Sequence, residues 1–307
     1  MRVLLFHNPG AGHRRHTRAD LVSAFERAGH DVTYQSVKRK GWKKAFETVS
    51  DVIVAAGGDG AVRRVATALA DRNDSSNATL VIVPIGTANN IARALGAEGS
   101  AAAIAKRIPA GRMTRLAVGT ARSAWGEMRF VEAVGLGAFA VMLREAEKAK
   151  KEKKKSGAQH RTASIDAGID HLQAVASRIE ARHVRVKADG EDLSGDYLLV
   201  EAMNIPSIGS CVDLARADYT DDRLELVLVR EEERTTLVRY LAKIGACEPF
   251  DPPFQSRQAR RVVLHWPPDD GHVDDAPWPE EENRSGGPSS VTVEIDRWIP
   301  VLVPNAE

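Results

Sequence analysis

The chain has 307 residues, long enough for two domains of ordinary size with separate cores. Its 43 Lys and Arg balance 42 Asp and Glu to a formal charge of +1, which argues against broad nucleic-acid binding, a function that usually needs a concentrated basic face. Two cysteines, Cys211 and Cys247, are too few for a disulfide framework and fit a reducing compartment. No run approaches the roughly 20 apolar residues of a membrane span, so a cytoplasmic protein with at most peripheral membrane contact is expected.

The first third alternates between strand and helix patterns. Residues 3–6 form a predicted strand, and the opening apolar stretch is too short for a signal peptide. A helix is predicted over 17–28, with Leu21, Val22, Phe25 and Ala28 on one face and a stop at Gly29; residues 32–37 alternate as a second strand. A short helix over 42–49 leads into a strand over 52–56, then a helix over 62–70, a strand over 80–84, and a helix over 90–95 stopped by Gly96. This βα repeat predicts a three-layer α/β domain around a buried parallel sheet.

Two of its turns carry the chemistry. The run DVIVAAGGDG (residues 51–60) ends in Gly57, Gly58 and Gly60, which remove side chains from the backbone and permit positive φ where a strand bends into a helix. Asp59 sits among them. A carboxylate beside phosphates is repelled unless a divalent cation lies between, so this turn predicts Mg²⁺-nucleotide rather than bare phosphate. The second turn, Gly86-Thr87-Ala88-Asn89-Asn90, offers a hydroxyl and two amides at a helix start. Neither turn has the G-x-x-x-x-G-K-[ST] or the G-x-G-x-x-G spacing of the two commonest phosphate loops.

After about residue 111 strand-like runs dominate, at 116–120, 128–134, 184–188, 197–202, 224–229, 262–265 and 291–295, with helices expected only at 163–182 and 234–244. These predict a β-rich sandwich or barrel. A lysine-dense run at 145–155 and an acidic, proline-rich run at 269–282, followed by the Gly/Ser-rich residues 285–290, are expected to be solvated surface. For the lysine run, contact with anionic lipid is the alternative.

Asn8-Pro9-Gly10-Ala11-Gly12, Gly57-Gly58-Asp59-Gly60 and Gly86-Thr87-Ala88-Asn89-Asn90-Ile91-Ala92-Arg93, in that order, resemble the catalytic domain of diacylglycerol kinase-like lipid kinases, a family that includes sphingosine and ceramide kinases. Weaker similarity continues through residues 204–209, 214–217 and 221–229. The resemblance implies a nucleotide domain over residues 1–112, to which 297–307 return, and a lipid-binding domain over 113–296. It implies an ATP- and Mg²⁺-dependent kinase that phosphorylates a hydroxyl of a diacylglycerol-like or sphingoid lipid at a membrane surface. Nucleotide contacts fall to Asn8, Gly57, Gly58, Asp59, Gly60, Gly86, Thr87 and Asn89, and Asp59 leads the metal and phosphate network.

The chain departs from the family pattern at informative places. In the family a second acid, from an Asp-Gly-Glu or Asp-Gly-Asp segment, acts as general base; here the match is Asp274-Asp275-Ala276, so Asp275 or Asp274 must serve with a shifted loop, or the route is absent. Asp218 to Leu224 resemble an Asp-Gly-x-Leu turn that in bacterial relatives holds a structural Mg²⁺, which implies Asp221 as side-chain ligand with carbonyls from Asp218 and Arg223. A plain hairpin turn is the alternative there. Ala61 replaces a hydroxyl residue, Arg63 and Arg64 replace an Asn-Glu pair, and Asn90 replaces an aspartate. Cations in a helix's first turn oppose the macrodipole unless a bound phosphate reverses the sign, so Arg63 or Arg64 is a candidate phosphate contact. A catalytically impaired nucleotide- or lipid-binding regulator of the same fold is the second reading, turning on Ala276; an NAD kinase or phosphofructokinase-type enzyme is a third.

Overall fold

A computed structural model of the chain describes residues 1–12, 15–72, 79–156, 164–244, 251–266, 271–281 and 287–305. Of the expectations above, those on Cys247, on 267–270 and on 282–286 lie outside the described residues. The chain divides into two compact units, Met1–Val118 with Arg297–Glu307, and Gly119–Asp296.

In the first unit β1 (Arg2–His7), α1 (Arg18–Arg27), β2 (Asp31–Ser36), β3 (Val52–Gly57), α2 (Asp59–Ala70), β4 (Thr79–Pro84), α3 (Asn90–Leu95) and α4 (Ala101–Arg107) succeed one another, and β5 (Arg112–Ser123) leads out of it. The strands pair in parallel in the order β4, β3, β1, β2. Alternation sends side chains to both faces. Val3, Leu5, Val54, Ala56, Val81 and Val83 pack with Leu21 and Phe25 of α1 and Ile104 and Ala105 of α4. On the other face the Phe6 ring lies 5.2 Å from Trp42 and 4.7 Å from Phe46, which sit on a 3₁₀ turn, Trp42–Glu47. Tighter 3₁₀ winding replaces the helix expected there.

The second unit contains β6 (Gly126–Phe130), β7 (Ala133–Gly137), α5 (Ala138–Lys155), α6 (Ile165–Arg178), β8 (Arg182–Ala188), β9 (Glu191–Asp192), β10 (Gly195–Met203), the small hairpin β11 (Ser207–Ile208) and β12 (Val212–Asp213), β13 (Leu224–Arg230), α7 (Arg234–Lys243), β14 (Ser256–Ala259), β15 (Arg261–Trp266), β16 (Gly271–Val273) and β17 (Ala276–Pro277). The long β18 (Ser289–Val303) begins in this unit and ends in the first, where Val301 pairs in parallel with Leu80. Strand β10 organises the antiparallel layers. Along one edge it pairs with β8 through Tyr197 and then with β7 from Leu199, while its other edge pairs with β13, shifting register between Tyr197 and Leu199. A bulge where one strand changes partners is how a sandwich turns its corner. Helices α5, α6 and α7 cover one side through Phe139, Leu172, Leu237 and Tyr240.

Three local expectations are corrected. The strand predicted over 128–134 is broken at Val131 and Glu132, whose N–H groups bond a side chain instead of a neighbouring strand. The lysine run lies on α5, a helix not expected, and there Lys151 pairs with Glu147 and Glu281. Within the acidic run, Gly271 to Asp274 are buried strand and turn rather than solvated loop. Cys211 is disulfide-bonded, which a count of two cysteines did not predict.

Candidate active site

The turns singled out by sequence gather at the C-terminal ends of β1, β3 and β4, the position at which open parallel sheets bind ligands. Gly58 is the N-cap of α2 and accepts at its carbonyl from the N–H groups of Ala61 (2.8 Å) and Val62 (3.1 Å), so α2 begins at Asp59, three residues earlier than predicted. The glycines act through proximity and not through positive φ, which neither Gly57, Gly58, Gly60 nor Gly86 adopts. A Cβ on Gly57 would lie 2.4 Å from the Ala61 Cβ, and a Cβ on Gly86 would lie 2.2 Å from the Gly58 Cα. The two turns therefore touch backbone to backbone.

Asp59 joins them electrostatically as well. Its Oδ1 accepts from the Ile91 N–H at 2.9 Å, which ties the first residue of α2 to the start of α3. Asn89, in the left-handed region at φ 54°, closes its own turn: its Oδ1 accepts from the Gly86 N–H (2.9 Å) and its Nδ2 donates to the Gly86 carbonyl (3.2 Å). Thr87 stands exposed at the tip. Asn8 follows β1, receives the Gly10 N–H on Oδ1 (3.1 Å) and donates its own N–H to Ala56 (3.0 Å), so its loop is bonded to β3. Asn8, Gly57, Gly58, Asp59, Gly60, Gly86, Thr87 and Asn89 thus belong to three adjoining turns.

The arginines are placed differently from the expectation. With α2 starting at Asp59, Arg63 and Arg64 occupy its second turn, and the first-turn charge is the favourable Asp59. The Arg64 guanidinium lies over Trp42, 5.9 Å from the ring centroid, whereas Arg63 is half-buried on the helix.

In the second unit the acidic motif forms the β16–β17 hairpin. Asp274 is 3% exposed at φ 51°, and its carboxylate accepts from the N–H groups of Val131, Glu132 (2.7 Å) and Ala133 (3.1 Å). Asp275 is exposed at the hairpin tip and Ala276 is half-buried. Of the two acids that sequence left as alternatives, one is consumed in holding the turn. Beneath it lies a pair that sequence reasoning missed: His272 and Glu201, both fully buried, with Nε2 2.9 Å from each carboxylate oxygen and Nδ1 2.8 Å from the Asp274 carbonyl. Burial opposes the imidazolium, but the Glu201 carboxylate and these hydrogen bonds outweigh it and raise the His272 pKa; burial likewise raises Glu201. A lone glutamate inside the apolar strand Tyr-Leu-Leu-Val-Glu-Ala-Met was the available signal.

Asp218, Asp221 and Arg223 share one exposed or half-buried turn. The Asp218 Oδ1 accepts from the Thr220 N–H (2.9 Å) and hydroxyl (2.7 Å), and the Asp221 Oδ1 accepts from the Arg223 N–H (2.8 Å). Among the described residues no three His, Cys, Asp or Glu side chains converge as a metal cluster, so a cation here would rely on one carboxylate, carbonyls and water.

Residues 2–121 match the family described as diacylglycerol kinase catalytic domain. That match covers most of the first unit, and it makes this part of the chain similar to the diacylglycerol kinase catalytic domain. It is 34% identical over 103 residues to a diacylglycerol kinase of Bacillus subtilis and 29% identical over 129 residues to one of Staphylococcus saprophyticus, alignments that cover 31% and 40% of this chain. They span 33% and 42% of those relatives. Over 99% of its length the chain superposes on 97% of a diacylglycerol kinase structure from Bacillus anthracis, with a TM-score of 0.66 at 19% identity. It also superposes on 84% of a yeast NADH kinase solved with NADH, with a TM-score of 0.53 at 9% identity. At these identities the superpositions establish the fold.

Proposed function

We propose that the protein transfers the γ-phosphate of ATP to a hydroxyl of a diacylglycerol-like or sphingoid lipid. The observation that carries this reading is the contact of the Gly57-Gly58-Asp59-Gly60 and Gly86–Asn89 turns, with Asp59 bonded between them. Such a pair presents backbone N–H groups and a helix N-terminus to phosphate, leaving no side chain to block approach. The first unit binds nucleotide through Asn8, Gly57, Gly58, Gly60, Gly86, Thr87 and Asn89; the second binds the lipid.

Phosphoryl transfer asks the protein mainly for positioning and charge neutralisation. Mg²⁺, when bound with nucleotide, would supply the neutralisation, and the acid at the head of α2 fits it because one carboxylate plus phosphate oxygens suffices for this ion. Asp59 orients that assembly while its bond to Ile91 fixes the carboxylate. Arg63 adds charge toward the phosphates. Asp275 accepts the proton of the lipid hydroxyl, since it is the solvent-facing acid of the hairpin whereas Asp274 is held by three amides. Asp221, with carbonyls of Asp218 and Arg223, is the place for a structural Mg²⁺.

The test is transfer of radiolabelled γ-phosphate from ATP with Mg²⁺ into a total-lipid extract, comparing wild type with Asp59→Ala and Asp275→Ala. A labelled lipid lost in both variants supports the assignment. No labelled lipid despite measurable ATP binding would overturn it.

A further inference from the structure

We propose that the turn after β2, residues 38–44, is a docking surface for anionic lipid headgroups. Lys38, Arg39, Lys40, Lys43 and Lys44 place five exposed cations in seven residues, more than the +1 charge of the whole chain. Among the described residues none of the five has an ion-pair partner, and Glu47 is the nearest acid along the turn. The contrast with α5 decides between the two lysine-rich segments, because there Glu145, Glu147 and Glu152 are interleaved and Lys151 is already paired.

The backbone beneath these cations is fixed. Trp42 and Phe46 are 7% and 8% exposed, packed on Phe6, and Arg72 stacks on the Phe46 ring and donates to its carbonyl at 2.9 Å. Successive turns close from Arg39 N–H to Ser36, Trp42 N–H to Arg39 and Lys44 N–H to Gly41. Anchored inward by its aromatics, the turn presents cations outward without ordering a mobile loop on binding. Arg39, Lys40 and Lys44 also line a cavity of about 660 Å³ with Thr33, Gln35 and Thr48, whose side chains add neutral donors suited to a phosphate ester.

Lipid fits better than nucleic acid for two reasons on the surface itself. Single-strand binders expose aromatic rings for base stacking, and here Trp42 and Phe46 are buried. Val49, at the end of the same turn, is 69% exposed, an aliphatic side chain beside cations as interfacial segments carry. The choice of a bilayer as the source of phosphate rests on the lipid-kinase reading above. Each cation near an anionic leaflet contributes roughly a fivefold gain in partitioning, so removing three costs on the order of 10²-fold.

The test is co-sedimentation with phosphatidylcholine vesicles containing a minority of phosphatidylglycerol, against phosphatidylcholine alone. Wild type should bind only the anionic vesicles and release in about 1 M salt, where the Debye length falls to about 3 Å. Lys40→Gln/Lys43→Gln/Lys44→Gln should lose on the order of 10²-fold in partitioning with an unchanged Tm, while Lys148→Gln/Lys150→Gln/Lys153→Gln on α5 should bind as wild type. Equal binding by the first triple variant, loss confined to the second, or binding to a single-stranded oligonucleotide but not to vesicles would each overturn the proposal. Transfer to a detergent-dispersed acceptor is measured alongside. Its absence with vesicle binding retained counts against the kinase reading alone.

Discussion

His272 and Glu201 form an ion pair with no solvent exposure on either side chain, the imidazole Nε2 equidistant, at 2.9 Å, from both carboxylate oxygens. Because Nδ1 faces the Asp274 carbonyl, an acceptor, the ring donates there and the pair shares one further proton, staying neutral overall. Phe139 closes the site edge-on at 4.8 Å. Burial opposes the imidazolium but pairing with Glu201 outweighs it and raises the His272 pKa, while burial raises that of Glu201 against the pull of His272, so the folded pair keeps its proton at pH values where the unfolded imidazole and carboxylate have lost theirs. Stability from this source is complete below the ordinary imidazole value of about 6.5 and falls as pH rises above it, with a slope approaching about 1.4 kcal/mol per pH unit. Urea unfolding of wild type and Glu201→Gln/His272→Gln across pH 6 to about 9 should show that slope only in wild type. His272→Ala alone, which strands a buried carboxylate, should cost about 3–5 kcal/mol.

Asp274 and Asp275, adjacent in sequence, should separate in experiment. Asp274→Ala leaves the N–H groups of Val131, Glu132 and Ala133 without their carboxylate, at about 1–3 kcal/mol for each buried group left unsatisfied. Asp275→Ala removes an exposed side chain and should change stability by less than about 0.5 kcal/mol. Thermal melts check the first contrast. In the phosphotransfer assay Asp275→Ala should lower kcat by about 10²-fold or more at unchanged nucleotide affinity, the signature of a lost general base.

Contact between the two glycine turns predicts that Gly86→Ala destabilises the protein. Its Cβ would collide with the Gly58 backbone at 2.2 Å, which no side-chain rotation can relieve. Overpacking of this kind costs about 1–3 kcal/mol. Nucleotide affinity by calorimetry should fall with it, since the same displacement separates Asp59 from Ile91. Gly57→Ala, meeting the Ala61 Cβ at 2.4 Å, should behave similarly.

Arg63 and Arg64 are expected to divide as well. Arg64 covers Trp42, so Arg64→Ala should cost about 0.5–1 kcal/mol of stability through the lost cation–π contact and leave nucleotide affinity unchanged. Arg63→Ala should weaken nucleotide binding. Equal affinities for wild type and Arg63→Ala would remove the phosphate contact assigned to it.

Much of this arrangement was legible in the sequence, for physical reasons that also mark where reading stops. The βα alternation and the three glycine turns are local patterns, and parallel strands place their turns on one edge by construction. The start of α2 was misplaced because glycine has poor helix propensity, although Gly58 serves as N-cap and opens the helix at Asp59. The role of those glycines was misread too: close approach to another turn is a tertiary property that no local pattern records. Asp274 and Glu201 lie in unlike surroundings, a proline-rich acidic run and an apolar strand, and only the pairing of β16 and β10 with β7 brings them to one imidazole. Helix α5 escaped because its lysines masked an apolar start at Ala138, Phe139, Ala140 and Met142.

The Asp218–Arg223 turn gives a prediction about metal rather than catalysis. Both aspartates accept hydrogen bonds from their own turn, which hold its shape, and a bound Mg²⁺ would add to its stability. A cation bound only by the folded state raises stability by RT ln(1 + [L]/Kd), about 2.7 kcal/mol at a hundredfold excess over Kd. Wild type should therefore melt higher in Mg²⁺ than in EDTA. Asp221→Asn keeps an acceptor for the Arg223 N–H but loses the anionic charge, so its Tm in EDTA should match wild type while the rise with Mg²⁺ disappears. Nucleotide must be absent from the melt, because the Mg²⁺-nucleotide site proposed at Asp59 would be a separate route for the ion. A Tm that is insensitive to Mg²⁺ in wild type would make the turn a hairpin held by its own hydrogen bonds.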